Sequence, residues 1–393
     1  MNRVLVLDGN ARAAITIIRS LGRSGVKVDV GAEYRAYSTY SRYCCEFIKY
    51  PSPLKEKEKF LSFILQIIKM KKYDAIIPVD DETTDIMSEL NNNSTEEIPV
   101  CLPFLDNYLK ARSKIETINL AKRLNIPHPV SIPTTELNND TENLVQKTLE
   151  LLVFPVILKP EYESGSRGIY FIKNVDELKK TIPIFIDKYK KGLIQEYIPY
   201  GGSYGVEMLY NKGELKAKFT HKRIREYPAH GGPSTCRESV RFQDIESYSK
   251  ILLDSLNWNG VAMVEFRIDA RNGVPRLMEI NPRFWGSLAM AYHAGVDFPK
   301  LLLELIVNKK CDEIFNYKLG IQTRWLLWGD FLWLLSRKRK RMSKEELYNF
   351  FSFRIHDDII DRDDLKPVLG TIIDSFRMVF FGNKLKDLFN RGW

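Results

Sequence analysis

The sequence predicts an α/β protein in three parts: an open α/β domain over residues 1–105, a second α/β domain over 106–305 and a mainly helical region over 306–393. Three observations lead there. The opening segment alternates short apolar strands with amphipathic helices, the pattern of βαβ units. Between 154 and 283, apolar strands carry isolated charged residues beside glycine-containing loops. Beyond 305 the pattern changes to long apolar-rich helices broken by basic and acidic patches.

Arg3–Leu7 (RVLVL) reads as a buried parallel strand. Asp8-Gly9-Asn10 is a turn, and Ala11–Ser24 a helix with Ile15, Ile18 and Leu21 on one face. Lys27–Val30 is a second strand, Phe60–Met70 a helix and Ala75–Val79 a third strand. Asp80, Asp81 and Glu82 follow at its C-terminal end, where open α/β sheets place ligands. These acids face either a substrate or solvent. GxGxxG is absent from the first turn, so a dinucleotide fingerprint is not supported. Ala111–Leu124 is a helix carrying Lys114, ended by Ile126-Pro127-His128-Pro129. Strands Pro155–Pro160 and Ile169–Ile172 flank a loop, and Leu193–Ile198 is a further strand.

The chain has 393 residues and a formal charge of +9, which favours anionic partners. Its basic residues are scattered apart from Arg337–Arg341, and no coherent aromatic and basic surface pattern emerges, so nucleic acid is not expected as a partner. Five cysteines include no CxxC pair, which argues against structural zinc and suits a reducing compartment. MNRVLVLDGN enters a strand directly, without a signal-peptide pattern, and no uncharged span is long enough to cross a bilayer. A cytoplasmic location is the expectation, with peripheral attachment to a membrane left open.

Two segments carry the chemistry. In FPVILKPEYESGSRGIYFI (154–172), Lys159 sits near the end of an apolar strand. A buried ammonium is expensive unless an acid or a phosphate meets it. The ESGSRG loop that follows (163–168) offers backbone N–H groups and polar side chains to phosphate oxygens, although it is not a Walker loop. LIQEYIPYGG (193–202) supplies an apolar strand where backbone at Glu196 and Ile198 can meet the edge of an adenine. Taken alone, such a stretch is more often just a strand entering a glycine-rich turn.

The second segment is GVAMVEFRIDARNGVPRLMEINPRFWG (260–286). Strand alternation puts Met263, Glu265 and Arg267 on one face and Ala262, Val264, Phe266 and Ile268 on the other. A hairpin loop at Arg271-Asn272-Gly273, with Gly273 left-handed, pairs Glu265 directly with Glu279. Opposed carboxylates repel unless a cation sits between them. Glu265, Glu279 and Asn281 form a hard-oxygen set suited to Mg²⁺, and Arg283 adds a planar fork for phosphate or carboxylate.

Together these segments resemble the ATP-grasp superfamily of carboxylate–amine and related ligases over roughly residues 1–305, most strongly at 154–172 and 261–286. The resemblance implies a two-lobed ATP-grasp fold after the N-terminal α/β domain. It implies ATP and Mg²⁺ as cofactors, with Mn²⁺ able to substitute. Lys114 and Lys159 match the ATP-phosphate lysines, and Gly165, Ser166, Arg167 and Gly168 the mobile phosphate loop. Glu196 and Ile198 match the adenine linker, with Glu207 a further nucleotide-site candidate. Glu265, Glu279 and Asn281 match the metal ligands, and Arg283 the arginine near the acyl phosphate. Arg283 and Lys159 are thereby the catalytic candidates. In this family ATP converts a carboxylate into an acyl phosphate, which an amine nucleophile displaces. The expected partners are therefore a small-molecule carboxylate and an amine. Another ATP-dependent phosphoryl or carboxyl transfer and a nucleotide-binding regulatory protein are the alternatives.

The segment HKRIREYPAHGGPSTCRES (221–239) is the expected substrate loop, with His221, Lys222, Arg223, Arg225, Gly231, Gly232 and Arg237 as candidates beside Arg283. It also resembles a segment of ATP-grasp proteins related to carbamoyl-phosphate synthetase. The flap is shorter and less glycine-rich than in biotin carboxylases, and only one grasp unit is recognisable. In TRWLLWGDFLWLLSRKRKR (323–341), Trp325, Trp328, Phe331 and Trp333 precede the basic run. Interfacial aromatics beside Lys and Arg fit an anionic membrane surface, but core helices or a homo-oligomer interface are the favoured reading.

Overall fold

The structure, a computed structural model, describes residues 1–137, 139–163, 165–228, 231–336, 350, 352 and 355–381. Strands β1 (Arg3–Val6), β2 (Lys27–Ala32), β3 (Cys44–Lys49) and β4 (Ala75–Ile77) form a parallel sheet in the order β3-β2-β1-β4. Val4, Leu5 and Val6 are fully buried, as a strand covered on both faces requires. Helix α1 (Arg12–Arg23) buries more than the single apolar face the sequence predicts: Ile15, Ile17, Ile18 and Leu21 are all inaccessible, and so is most of Arg19. One side of α1 meets the sheet core, and another meets the chain at 358–364. Arg19 Nε donates to Asp364 Oδ2 at 3.0 Å, and its Nη2 donates to the carbonyls of Ile359 and Asp364 at 2.8 and 2.9 Å. Helix α2 (Lys57–Lys71) covers the sheet and α3 (Asp81–Asn93) leaves the end of β4.

The predicted helix at 111–124 is two helices, α4 (Leu105–Arg112) and α5 (Lys114–Arg123). Ser113 causes the break: it is extended, and its Oγ accepts the Glu116 N–H at 3.2 Å as an N-cap. The small lobe follows. Strands β5 (Ser131–Pro133), β6 (Val156–Pro160), β7 (Tyr170–Ile172) and β8 (Gly192–Glu196) make an antiparallel sheet in the order β5-β8-β6-β7, packed on helices α6 (Thr141–Leu151) and α7 (Val175–Tyr189).

The large lobe is a seven-stranded sheet built on β9 (Tyr200–Asn211), β10 (Glu214–Glu226), β11 (Ser234–Ser239), β12 (Gly260–Asp269) and β13 (Pro275–Asn281). Alternation divides its two faces. Val206, Met208, Ala262, Val264, Phe266, Leu277 and Ile280 enter a core with α5 and with α8 (Gln243–Ser255). On the other face, α9 (Leu288–Ala294) and α10 (Phe298–Asn308) share one core with α1 and β1, so the N-terminal sheet and the large lobe are packed as one unit.

The chain after 305 is less purely helical than the sequence suggests. β14 (Gln322–Arg324) and β15 (His356–Asp357) extend the large sheet beyond β11, alongside helices α11 (Phe331–Ser336) and α12 (Lys366–Phe381). Of the four tail aromatics, Trp325 packs near Ile15 and Tyr37, and Trp333 stacks on Phe350. Trp328 and Phe331 stay part-exposed, as do Leu369, Ile372 and Phe376 on α12. The basic run 337–341 lies outside the described residues. Among the described residues no helix is long and apolar enough to cross a membrane.

Asp364 is the clasp of this C-terminal wrap. It accepts from Arg19, from Ser41 Oγ at 2.6 Å and from the Arg42 N–H at 2.9 Å. Asp364→Ala leaves the Arg19 charge buried and uncompensated, which costs about 3–5 kcal/mol. Urea denaturation is expected to show that loss, with Asp364→Asn intermediate; an unchanged midpoint for the alanine variant would refute the clasp.

Candidate active site

A cleft opens where the small lobe, the large sheet and the first turn of α1 meet. Its walls include Lys114, Lys159, Gly165, Ser166, Arg167, Glu196, Ile198, Arg223, Gly231, Gly232, Glu265, Glu279, Asn281 and Arg283. Sequence positions nearly 170 apart are thus brought to one surface, with the charged residues from β6, β12 and β13 supplied by strand alternation.

On the floor of the cleft Glu265 pairs directly with Glu279, and Met263 with Asn281. The hairpin reaches that register by a route the sequence did not suggest. Near the loop, Phe266 pairs with Leu277 and Ile268 with Pro275, and a bulge between Glu265 and Phe266 restores the opposed carboxylates. Gly273 does take the left-handed conformation, with φ of 74°. The two carboxylates are held apart in charge by the protein's own cations. Arg223 Nη2 lies 2.6 Å from Glu265 Oε2, and Lys114 Nζ lies 3.3 Å from Glu279 Oε2. The two remaining Oε1 atoms converge on Asn281 Nδ2, at 3.4 and 3.3 Å. Burial and the facing Glu279 raise the Glu265 pKa against the pull of Arg223. For Glu279 burial also works upward, but Lys114, Lys159 and Asn281 outweigh it and the net shift is downward.

Arg283 extends this cluster to the N-terminal domain. Its Nε donates to Asp81 Oδ1 at 2.7 Å and its Nη2 to Asn281 Oδ1 at 3.2 Å. Asp81 is only 5% exposed, so it is neither a solvated turn acid nor a free substrate ligand; it orients the arginine. Asp80 sits beside it, its pKa lifted to about 7 by burial and by the Asp8 carboxylate.

The two lysines are delivered by different devices. The Ser113 cap makes Lys114 the first residue of α5, and its ammonium also donates to the Glu163 carbonyl at the start of the flap. Lys159 is 4% exposed on β6. Burial, then the neighbouring Lys114 charge, drives its pKa down to about 7, with Glu279 opposing. In the flap, Gly165, Ser166 and Gly168 have φ of 62°, 64° and 70°. Ser166 Oγ donates to the Gly231 carbonyl, joining flap and substrate loop. Gly232 has no room for a side chain, because a Cβ would sit 2.0 Å from the Tyr227 carbonyl oxygen. Ile198 and Glu196 both line the cleft, but the Glu196 carboxylate is held by Arg271 at 2.5 Å and its N–H by the Val130 carbonyl. That leaves the Glu196 backbone carbonyl and the Ile198 backbone for a base edge.

Five sequence candidates lie away from the cleft wall. Glu207 and His221 form a buried pair at 2.6 Å within the sheet, where desolvation raises the glutamate pKa and lowers that of the histidine to about 3. Lys222 is exposed on a separate shallow groove with Tyr204 and Phe242. Arg225 is engaged by Asp330, and Arg237 by Asp358. A bulge between Arg223 and Arg225 changes which β10 side chains reach the cleft, a feature alternation alone does not reveal. Arg12 lines the cleft and Asp81 holds Arg283; the sequence does not single out the first and leaves the second open. The position of Arg12 just beyond the C-terminal end of β1 is the signal that could have found it.

Lys159 generates a pH prediction. Its folded pKa lies below its unfolded value, so its burial costs most below pH of about 7, and the cost is relieved as pH rises towards 10.5. A polyphosphate placed beside it raises the pKa again, so binding above neutrality takes up a proton. Calorimetry of a nucleoside triphosphate at roughly pH 8, in buffers of different ionisation enthalpy, is expected to show net uptake approaching one proton. The uptake fades at acid pH and in Lys159→Met; equal uptake in that variant would overturn the assignment.

Comparison with known proteins agrees with this geometry. Residues 188–327 match the family described as "ATP-grasp in the biosynthetic pathway with Ter operon". The N-terminal section of the carbamoyl phosphate synthase large chain from Methanopyrus kandleri is 21% identical over 274 residues, 65% of this chain and 47% of that protein. The chain thus spans less than half the length of that relative. Among solved structures, the biotin carboxylase domain of Hydrogenobacter thermophilus 2-oxoglutarate carboxylase, in complex with MgADP and bicarbonate, superimposes with a TM-score of 0.66 at 16% identity, covering 82% of this chain and 73% of that one. The L-amino acid ligase of Bacillus licheniformis gives a TM-score of 0.60 at 14% identity, covering 79% and 75%. The fold is therefore an ATP-grasp fold with an N-terminal α/β domain, residues 188–327 match an ATP-grasp family, and the chain is similar to carbamoyl phosphate synthase in sequence and to a biotin carboxylase and an amino acid ligase in structure.

Proposed function

We propose that the protein is an ATP- and Mg²⁺-dependent ligase that activates a small-molecule carboxylate as an acyl phosphate and joins it to an amine. The observation that carries this reading is the convergence of Lys114, Lys159, the flap, the opposed glutamates and Arg283 on one cleft. The adenine would lie against Glu196 and Ile198, with the phosphates running toward Lys159 and Lys114 under the flap. The γ-phosphoryl group would then face the hairpin, where Arg283 meets the charge developing on the transferred phosphoryl.

The hairpin fits a hard divalent cation. Two Oε1 atoms already converge on one amide, and the ligands are oxygen-bearing side chains. Among the described residues no cluster of three or more His, Cys, Asp or Glu side chains provides an alternative metal site. Glu265, Glu279 and Asn281 would hold Mg²⁺, whose charge would neutralise the triphosphate and polarise the bond being broken. Arg223 and Lys114 hold the two carboxylates in place and favour their charged forms. The flap, drawn to the Gly231 carbonyl through Ser166, excludes water that would hydrolyse an acyl phosphate.

ADP release stimulated by members of a carboxylate and amine panel, with hydroxylamine trapping of the acyl phosphate and product mass, tests the reading. Glu279→Gln preserves side-chain size and removes one charge from the hairpin; a loss of about 10²–10³ in turnover is expected. Circular dichroism should remain that of the native fold. Trapping at the wild-type level in a folded Glu279→Gln protein would refute the assignment.

A further inference from the structure

We propose that the end of the cleft beneath Arg12 is an oxyanion subsite, which holds a carboxylate or phosphate of the acceptor substrate away from the reacting amine. The proposal rests on the ligase reading for the word acceptor; the anion site itself is argued from its donors.

Arg12 belongs to the N-terminal domain, yet it lines the same cleft as Arg283. Its guanidinium reaches across to the Ser234 carbonyl at 3.3 Å and lies 4.3 Å from the centre of the Trp325 ring. Contact with the large lobe is close enough that a Cβ on Gly286 would stand 2.7 Å from Arg12 Nη2. The bare backbone of Gly286 thus makes room for the arginine head. Gly286 follows directly on Arg283-Phe284-Trp285, so the subsite adjoins the reacting end of the cleft.

The local charge is not balanced. Asp358 is the carboxylate in reach of Arg12, at 3.5 Å, but the same carboxylate is in tighter contact with Arg237. Two guanidinium groups therefore share one acid. Arg223, the next cation along the wall, is committed to Glu265. Burial and the neighbouring Arg237 hold the Arg12 pKa down at about 10 against Asp358, which still leaves the group fully charged at neutral pH. A second buried donor belongs to the residue just before Gly286. Trp285 is 1% exposed and lines this cleft, and its indole N–H has no hydrogen-bond partner among the described residues. Ser287 lines the cleft beside it. A buried indole N–H without an acceptor is costly, and an oxyanion held by the Arg12 fork would supply one, with the Ser287 hydroxyl as a further donor.

The test uses the full chain saturated with Mg·AMPPNP, so that the nucleotide already fills the phosphate site at Lys114 and Lys159. Malonate and inorganic phosphate are titrated separately by calorimetry, which distinguishes a carboxylate from a phosphate subsite. At least one of them is expected to bind wild type about tenfold or more tightly than Arg12→Gln, with Arg12→Lys in between because lysine lacks the fork. AMPPNP affinity is expected to stay within about twofold across the series, because Arg12 is outside the nucleotide site. Gly286→Ala keeps the arginine but displaces its head, and should weaken the anion as Arg12→Gln does. No anion binding to wild type, or equal binding to wild type and Arg12→Gln, overturns the subsite. Failure of AMPPNP to bind wild type would instead count against the ligase reading, and the anion titrations without nucleotide still decide the subsite.

Discussion

Two carboxylates facing each other across one hairpin set the terms for the rest of the cleft. Bare like charges about 4 Å apart repel by about 4 kcal/mol at the effective dielectric of a protein surface. Beneath them, Val264, Phe266, Leu277 and Ile280 are buried in the large-lobe core. Each contributes about 1.5–3 kcal/mol by leaving water. Burial therefore wins over repulsion: a one-residue slip would send Glu265 into the core and Val264 into the cleft. The fold imposes the opposed pair, and cations must then be recruited to tolerate it. Lys114, Arg223 and the Asn281 amide meet that demand, each from a different element.

The N-terminal domain takes part in the same arrangement. Arg283 is oriented by Asp81, and Asp81 is placed by the turn after β4. That turn is tied to the first βα turn, because Asp8 accepts the N–H groups of Val79 and Asp80 at 3.0 and 2.9 Å. Asp8 itself needs a φ of 57°, a conformation that aspartate tolerates better than most residues. With one core shared by α1, α9 and α10, the first domain is a structural wall of the cleft. Behind the cleft wall, the C-terminal segment holds the substrate-loop strands, since Asp358 and Asp330 engage Arg237 and Arg225.

What the sequence revealed follows from periodicity and local chemistry. Strand alternation placed Glu265 and Glu279 opposite each other, and the apolar strand around Lys159 announced a buried ammonium. The parallel N-terminal strands were visible as continuous apolar runs. Bulges were not visible: the one in β10 sends Arg223 to the cleft and leaves Arg225 to Asp330, and the one in β12–β13 changes the hairpin loop while keeping its far register. Neither leaves a composition signal. Long-range ion pairs were equally hidden. Nothing near Arg19 or Arg237 in the chain names Asp364 or Asp358 as a partner, and nothing near Arg12 shows that it faces Gly286.

Charge exchange links the flap to the hairpin. Lys114 donates to the Glu163 carbonyl on one side and pairs with Glu279 on the other, so a single ammonium spans the flap of the small lobe and the floor of the large one. Lys159, held near neutrality beside it, is poised to gain a proton when negative charge enters. An incoming polyphosphate offers both lysines a stronger partner than Glu279. A divalent cation at the proposed site would offer Glu279 and Glu265 a replacement for the lysine and for Arg223. The two exchanges satisfy each other only together: taking the lysine alone strips the glutamates of their neutralisation, and adding the cation alone leaves Lys114 and Lys159 crowded with uncompensated charge. Under the proposed ligase function, electrostatics would therefore favour nucleotide and metal arriving as a pair, and the Glu163 contact would couple that arrival to the position of the flap.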